Sequence, residues 1–212
     1  MLIFNQVSKN GICDLSFYIR SGEFAYIYYQ ESRDIETLFN LIMGNARPDD
    51  GVIRWLNNDS LIKPFPIEKR VVYQENILLP DRTVIENMRY IMQIRGFSSK
   101  YINNRARRVL NILELDKLFD KKPGELMKHQ LIRANIAQAI LDFPTVVIVE
   151  NPTIMLDDVN AQGIIHLLKG INSLSLTIIF LSSDQRLIPG DGVKVIGPVL
   201  TSKQNREKGS YA

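Results

Sequence analysis

The sequence predicts an α/β fold built around a parallel sheet. Two short, wholly apolar runs, TVVIV at 145–149 and LTIIFL at 176–181, are typical of strands that are buried on both faces. A helical segment at 162–170 separates them, and strand–helix–strand is the repeating unit of parallel sheets. The amino-terminal third is rich in β-branched and aromatic residues, so further strands precede this unit.

The remaining elements follow from local patterns in chain order. Three strands are predicted first, at LIFNQV, LSFYIR and FAYIYY, with a turn at Ser21-Gly22. An amphipathic helix follows, and Gly44 ends it. Two more strands are predicted at GVIRWL and at VVY, residues 71–73. Helices are predicted at 83–118 and 127–141, and the last strand at VKVIG. Ser98 or Ser99 is a suitable helix cap. The two helix faces are marked by apolar stripes: Ile35, Leu38, Phe39 and Ile42 in the first, and Ile102, Ala106, Val109 and Leu113 in the second.

Composition excludes several classes of protein. The chain has 212 residues, 45% of them hydrophobic and 23% charged, which are ordinary values for a globular protein. A net charge of +3 is weak support for nucleic-acid binding, and Arg105, Arg107 and Arg108 look like a solvated helix face. The single cysteine, Cys13, has no partner for an internal disulfide. We expect neither a signal peptide nor a membrane span, because no basic start or long apolar run is present.

The order of these elements resembles the nucleotide-binding domain of ABC transporters over residues 1–200. The best local matches are SGEFAYI, VVYQENILLPDRTVIENM and VVIVENPTIMLDD. Within the family the chain is most similar to the cell-division subunit FtsE. The resemblance implies a P-loop NTPase-like parallel core sheet, an antiparallel β subdomain and a helical subdomain inserted at about 76–142. Residues 201–212 are a polar carboxyl-terminal tail.

The segment in register with the family's phosphate-binding loop lacks the residues that the chemistry needs. Such a loop has the form G-x-x-x-x-G-K-[ST], in which glycine N–H groups wrap phosphates, the lysine neutralises them and the hydroxyl binds Mg²⁺. Here Tyr29 takes the position of the first glycine and Asp34 that of the last. Ile35 takes the position of the lysine, and Glu36 that of the hydroxyl that binds magnesium. Thr37 matches the family's next hydroxyl.

Glu31, Asp34 and Glu36 also place negative charge where a triphosphate would lie. Two like charges about 4 Å apart repel by about 4 kcal/mol at an effective dielectric near 20, and Arg33 offsets only part of this. A second interpretation is that Asp34 and Glu36 are first-turn residues that stabilise the helix amino terminus.

The Walker B strand ends in Glu150-Asn151 in place of the family's Asp-Glu. Glu150 keeps a carboxylate, but the Asn151 amide is no base at neutral pH and cannot activate water. By resemblance Asp157 matches an aspartate that contacts the second subunit, although Asp157 or Asp158 could simply cap the next helix.

The signature and switch positions have also changed. The family signature LSGGQ grips phosphate across the dimer, whereas Met127, Lys128 and His129 stand here, with no hydroxyl and no glycine. Lys128 either contacts phosphate or is a solvated lysine. His129 is predicted to be a surface residue rather than a metal ligand. Ser183 replaces the switch histidine.

The segment after the strand predicted at 71–73 matches the family's surface for its membrane partner. Gln74 is the one unchanged motif residue, although alone it also suits an exposed strand end. Apolar side chains after it suit the binding of a partner helix, and packing in this chain's own core is the alternative for two of them, Leu78 and Leu79. The predicted docking set is Gln74, Asn76, Leu78, Leu79, Pro80 and Arg82.

Together these residues predict a pseudo-ATPase that needs no cofactor and no metal. The resemblance implies a homodimer, peripheral at the cytoplasmic face of the membrane, that binds an FtsX-like integral membrane protein in peptidoglycan remodelling at the division site. The alternatives are an active ATPase that uses ATP and Mg²⁺ to drive FtsX or a lipoprotein-export-type transporter, and a subunit that binds nucleotide without hydrolysis.

Overall fold

The computed structural model describes residues 1–29, 32–57, 60–61, 69–73, 75, 77–187 and 190–199. Its strands are β1 (Leu2–Lys9), β2 (Ile12–Ile19), β3 (Phe24–Tyr29), β4 (Asp50–Asn57), β5 (Ser60–Leu61), β6 (Lys69–Val72), β7 (Val146–Glu150), β8 (Thr177–Ser182) and β9 (Lys194–Val199). Its α-helices are α1 (Ser32–Met43), α2 (Val84–Ile94), α3 (Ser99–Ile112), α4 (Lys128–Ile140) and α5 (Asp158–Asn172).

A five-stranded parallel sheet, in the order β6-β7-β8-β3-β9, forms the centre of the molecule. All residues of β3 and β8 are buried, as the apolar runs predict. β7 and β8 pair directly, from Val146 opposite Thr177 onwards, with α5 connecting them. The predicted strand–helix–strand unit is therefore confirmed, and α5 is longer at both ends than the predicted segment 162–170.

Alternate residues of the central strand face opposite sides of the sheet, and each side has its own core. Phe24, Tyr26 and Tyr28 pack in the core that contains α2 to α5. Ala25, Ile27 and Tyr29 pack in the other core, with α1 and the antiparallel sheet. Both faces of the parallel sheet are thus covered, which is why its strands read as continuous apolar runs.

The antiparallel sheet has the order β2-β1-β4-β5 and packs beside α1. Trp55 of β4 is buried and donates its indole N–H to the carbonyl of Ile42, 3.3 Å away, which joins this sheet to the end of α1. Gly51 has a φ of +82°, and a Cβ there would lie 2.2 Å from the carbonyl oxygen of Gln6. Only glycine fits this close approach of β4 to β1.

The segment between β6 and β7 is helical, and the stretch predicted at 83–118 contains α2 and α3, the second of which begins at the predicted cap. Gly96, with a φ of +79°, ends the turn after α2. Ser98, not Ser99, caps α3 by accepting the backbone N–H of Tyr101. The apolar stripe predicted for this helix is buried, and Arg105 bonds the carbonyls of Ile140 and Leu141 instead of pointing into solvent. Within the described ranges no helix has the length and apolar character needed to cross a membrane.

Candidate functional site

The carboxyl ends of β3, β7 and β8 bring three of the sequence-predicted positions together. Tyr28 is paired with Ser182, and Glu150 with Leu181. Tyr29 and Glu150, which end β3 and β7, therefore lie at the same edge of the sheet as Ser183, which directly follows β8. Ligands of open α/β sheets bind at this edge. The register of the parallel sheet, rather than any local motif, therefore assembles the site.

Tyr29 fills the position of the first phosphate-loop glycine with a completely buried side chain. It is 0% exposed and belongs to the core that includes α1. Burial raises the pKa of its phenol, and the adjacent Glu150 carboxylate raises that pKa further, while Ser183 acts in the opposite direction. Its backbone also pairs with Val199 of β9. A glycine at this position would leave space for phosphate, whereas the Tyr29 side chain fills that space as part of the hydrophobic core.

Two carboxylates interact electrostatically where the family holds magnesium and phosphate. Glu150 is half-buried at the end of β7, and Glu36 is exposed on α1. Burial, and then the negative charge of Glu36, raise the pKa of the Glu150 carboxyl. Ile35, at the lysine position, is buried in the core beneath α1. These residues do not fit Mg-ATP, because they supply acceptors and an apolar side chain where a polyphosphate needs donors and positive charge.

Asn151 and Ser183, which replace the general base and the switch histidine, bond to each other. The Asn151 amide donates to the Ser183 hydroxyl over 3.4 Å, and the Ser183 backbone N–H donates to the Asn151 amide oxygen over 3.3 Å. Asn151 is buried with a φ of 44°, and its own N–H donates to the carbonyl of Leu181 over 2.8 Å. These hydrogen bonds join the ends of β7 and β8, and neither side chain is a base that could take a proton from water.

The signature position forms the start of α4. The Gln130 amide oxygen accepts the backbone N–H of Met127 over 2.9 Å, so one backbone N–H at this helix end has a partner in the same turn. Met127 and Lys128 are exposed, and His129 is partly exposed. A groove of about 320 Å³ lies between α4 and the turn after β7, lined by Lys128, Leu131, Ile132, Asn135, Pro152, Met155 and Glu75. No set of three or more His, Cys, Asp or Glu side chains suited to a metal occurs in the described part of the chain.

Asp157 caps α5, which was one of its two predicted roles. Its carboxylate accepts the N–H of Asn160 over 2.9 Å and the Asn160 amide over 2.6 Å, and these bonds lower the pKa of Asp157. Asp158 instead pairs with Arg186, which also binds the buried Asp184 carboxylate. Sequence reasoning missed Arg186, although the spacing of Asp184 and Arg186 within one turn was a usable signal.

The predicted docking positions divide into three groups. Gln74 and Asn76, like Glu31 of the phosphate-loop segment, lie outside the described residues, as do the side chains of Arg33 and Asp34. Leu78 is 4% exposed and packs in the core, which was its alternative role. Leu79, Pro80 and Arg82 are exposed, with the Arg82 guanidinium 4.5 Å from the centre of the Tyr90 ring.

Asn87 holds the exposed segment 79–83 in place, and sequence reasoning missed it. Its amide oxygen accepts the N–H of Leu79 over 2.7 Å, and its amide nitrogen donates to the carbonyls of Leu79, Arg82 and Thr83. Asn87 is fully buried. A polar residue on the apolar face of a helix was the signal that could have identified it.

Comparison with known proteins gives concordant results. The family model described as "ABC transporter" matches residues 36–154. The cell division ATP-binding protein FtsE of Haemophilus influenzae is 30% identical over 202 residues, which are 89% of this chain and 92% of that protein. CbiO1 of Clostridium perfringens, part of the ABC transporter complex cbiONQ, has a TM-score of 0.75 and 22% identity, covering 86% of this chain and 78% of that one.

A dimeric ATP-binding cassette solved with ADP and Pi has a TM-score of 0.68 and 24% identity, covering 87% of this chain and 88% of that one. The predicted fold class is therefore confirmed.

Proposed function

Because this chain belongs to the ABC transporter family, we propose that it is an FtsE-like subunit of a cell-division complex that has lost ATP hydrolysis. In this role it is a pseudo-ATPase that serves as adaptor or structural partner of an FtsX-like integral membrane protein. The complex acts in peptidoglycan remodelling at the division site. The subunit is cytoplasmic and reaches the inner face of the membrane only through that partner.

The observation that carries the proposal is the pair of carboxylates at the carboxyl edge of the sheet. Burial and then the charge of Glu36 raise the pKa of the Glu150 carboxyl, and among the described residues no cation is paired with either carboxylate. A magnesium ion alone would be attracted to such a pair. A triphosphate adds several negative charges to the same place, and here it meets no lysine at position 35.

The losses affect both halves of the composite site. By family resemblance each ATP lies between the phosphate loop of one subunit and the signature of the other. This chain has Tyr29 and Asn151 on the first half and Met127 on the second. A homodimer would have no intact site, and pairing with an intact relative would leave both sites incomplete. We therefore favour a structural role over a subunit that completes its partner's site.

The exposed segment at 79–82 supports the proposed membrane partner. Leu79 and Pro80 are exposed, and the Asn87 amide fixes the backbone around them by accepting one hydrogen bond and donating three. A fixed backbone with exposed apolar side chains binds a partner helix at low entropic cost. This geometry matches the surface at which the family resemblance places the membrane subunit.

Thermal unfolding with Mg-ATP tests the loss of nucleotide binding. A ligand at 100 times its Kd adds about 2.7 kcal/mol of stability. For a chain of this size that free energy corresponds to a rise in Tm of about 5–11 °C. We expect no rise at millimolar Mg-ATP, whereas an intact FtsE in the same assay should show one. A clear rise without phosphate release would indicate a nucleotide-binding subunit, and phosphate release would indicate an active ATPase.

Co-purification tests the membrane partner. The tagged chain and the FtsX-like protein of the same organism are expressed together and purified in mild detergent. We expect a complex that Leu79→Asp disrupts and Leu174→Asp does not, because Leu174 is equally apolar but lies in the turn after α5, at the opposite edge of the sheet. A complex that survives Leu79→Asp would contradict the proposed surface, and no complex at all would contradict the partner.

A further inference from the structure

We propose that a groove at the amino ends of β7 and β8 binds an acidic amphipathic helix of a partner protein. The groove has a volume of about 190 Å³. Pro144 and Leu176, which line it, stand just before these two strands. It therefore lies at the edge of the sheet opposite to Tyr29 and Glu150, and its use requires neither a nucleotide nor the membrane partner.

The groove has an apolar floor and an apolar rim. Buried side chains from three helices and from the loop before β7 form the floor: Val109, Ile140, Ile171 and Pro144. Three large apolar side chains around the floor are exposed, namely Ile112 at 47%, Phe143 at 61% and Leu174 at 64%. Exposed apolar side chains gathered around a concave floor mark an interaction site, and grooves of this kind bind the apolar face of an amphipathic helix.

Phe143 is exposed in spite of an unfavourable backbone conformation. Its φ is 54°, in the left-handed region that bulky side chains rarely adopt. Its ring lies 3.1 Å from the guanidinium carbon of Arg105, which also bonds the carbonyls of Ile140 and Leu141 at the end of α4. Strained residues cluster at functional sites, and rigidly held side chains with large contact areas carry most of the energy of an interface. We therefore expect Phe143 to be the main anchor of the partner helix.

The rim of the groove is positively charged, which indicates an acidic partner. Arg105 lines the groove, and Arg108 is exposed one turn further along α3. Among the described residues neither arginine forms an ion pair, and neither α3 nor the lining of the groove contains an acidic residue. Asp142, in the loop before β7, is buried and already pairs with two other arginines. A partner that brings carboxylates to this rim would complement its charge.

The same charges disfavour other occupants. Two copies that met through this groove about a two-fold axis would bring their arginines together, because such an interface pairs a surface with itself. The tail at 201–212 has three basic residues and one acidic residue, so the rim repels it as well. A lipid bilayer is too flat to reach the apolar floor, and two arginines contribute only about 1 kcal/mol each near an anionic membrane.

Fluorescence anisotropy with two synthetic peptides tests the inference on the full chain. Both are helical peptides of about 18 residues with leucines at i, i+3, i+4 and i+7, and they differ only in carrying glutamate or lysine at the flanking positions. We expect the glutamate peptide to bind with a Kd that rises with salt, and the lysine peptide not to bind. Arg108→Glu, Leu174→Asp and Phe143→Asn should each raise the Kd about tenfold or more.

Two variants serve as matched controls. Arg107→Glu changes the adjacent arginine of α3, whose guanidinium lies 5.3 Å from the centre of the Phe119 ring instead, and it should leave the Kd unchanged. Leu79→Asp, which should disrupt the complex with the membrane protein, should also leave peptide binding unchanged. Phe143→Asn should not lower the Tm, because asparagine tolerates a positive φ and the ring is mostly exposed. A clear fall in Tm would show that the ring serves the packing of this chain and would contradict its role as an anchor.

Equal binding of the two peptides, no binding of either up to about 1 mM, or equal effects of Arg107→Glu and Arg108→Glu would refute the inference. Co-sedimentation with phosphatidylglycerol-containing vesicles and sedimentation velocity of the chain alone test the other occupants. Vesicle binding or a dimer that Leu174→Asp abolishes would assign the groove to a membrane or to a second copy, and the inference would be wrong. None of these results depends on Mg-ATP or on the FtsX-like protein, so a failure here leaves the proposed function standing.

Discussion

Restoring the first phosphate-loop glycine at position 29 should destabilise the protein rather than recover ATP binding. The Tyr29 side chain is completely buried, between the parallel sheet and α1. Replacing a buried aromatic residue by alanine costs about 3–5 kcal/mol, through lost transfer free energy and the cavity that remains. Glycine costs about 0.5–1 kcal/mol more in a strand. Domains have total stabilities of only about 5–15 kcal/mol, so Tyr29→Gly removes much of the margin.

Urea unfolding of Tyr29→Ala and Tyr29→Gly measures these costs, and a thermal scan should show a fall in Tm of about 6–20 °C for the alanine variant. Tyr73→Ala is the matched control, because Tyr73 is 40% exposed at the end of β6 and should lose about 1 kcal/mol or less. A loss below about 1.5 kcal/mol for Tyr29→Ala would refute the reasoning. Tyr29 would then be a tolerated occupant of an otherwise open loop, and not an anchor of the core.

Three further predictions concern the same region. Because burial and Glu36 raise the pKa of Glu150, the protein should lose stability as pH rises from the ordinary glutamate pKa through the raised one. In urea unfolding, Glu36→Gln should therefore have a higher free energy of unfolding than wild type at pH 7 and the same free energy near pH 3. A lower free energy of unfolding at pH 7 would instead favour the interpretation of Glu36 as a residue that stabilises the helix. Asp157→Ala should cost about 1 kcal/mol by removing the cap of α5, with a smaller loss for Asp158→Ala in the same titration. Asn87→Ala should cost about 2–3 kcal/mol and speed amide exchange at 79–84, whereas unchanged exchange there would show that other contacts hold the segment.

Local patterns were enough to predict most of the fold. The apolar runs of β7 and β8 predicted a parallel sheet, since only strands covered on both faces can be apolar at every position. The stripe from Ile102 to Leu113 predicted the buried face of α3 for the same reason, at the helical period. The serine pair at 98–99 predicted the start of α3, and the structure adds that Gly96, with a positive φ, ends the turn after α2.

The sequence by itself determined which chemical groups stand at each motif position, because residue type and spacing fix whether a hydroxyl, a lysine or a general base is present at all. Only the tertiary structure decided what the replacements do. Tyr29 is a core residue, Asn151 and Ser183 bond to each other, and the charge of Glu36 acts on Glu150. Asn151 and Ser183 are 183 − 151 = 32 positions apart, and Glu36 and Glu150 are 150 − 36 = 114 positions apart. The register of parallel strands places them at one edge of the sheet, and no local pattern in the sequence encodes that register.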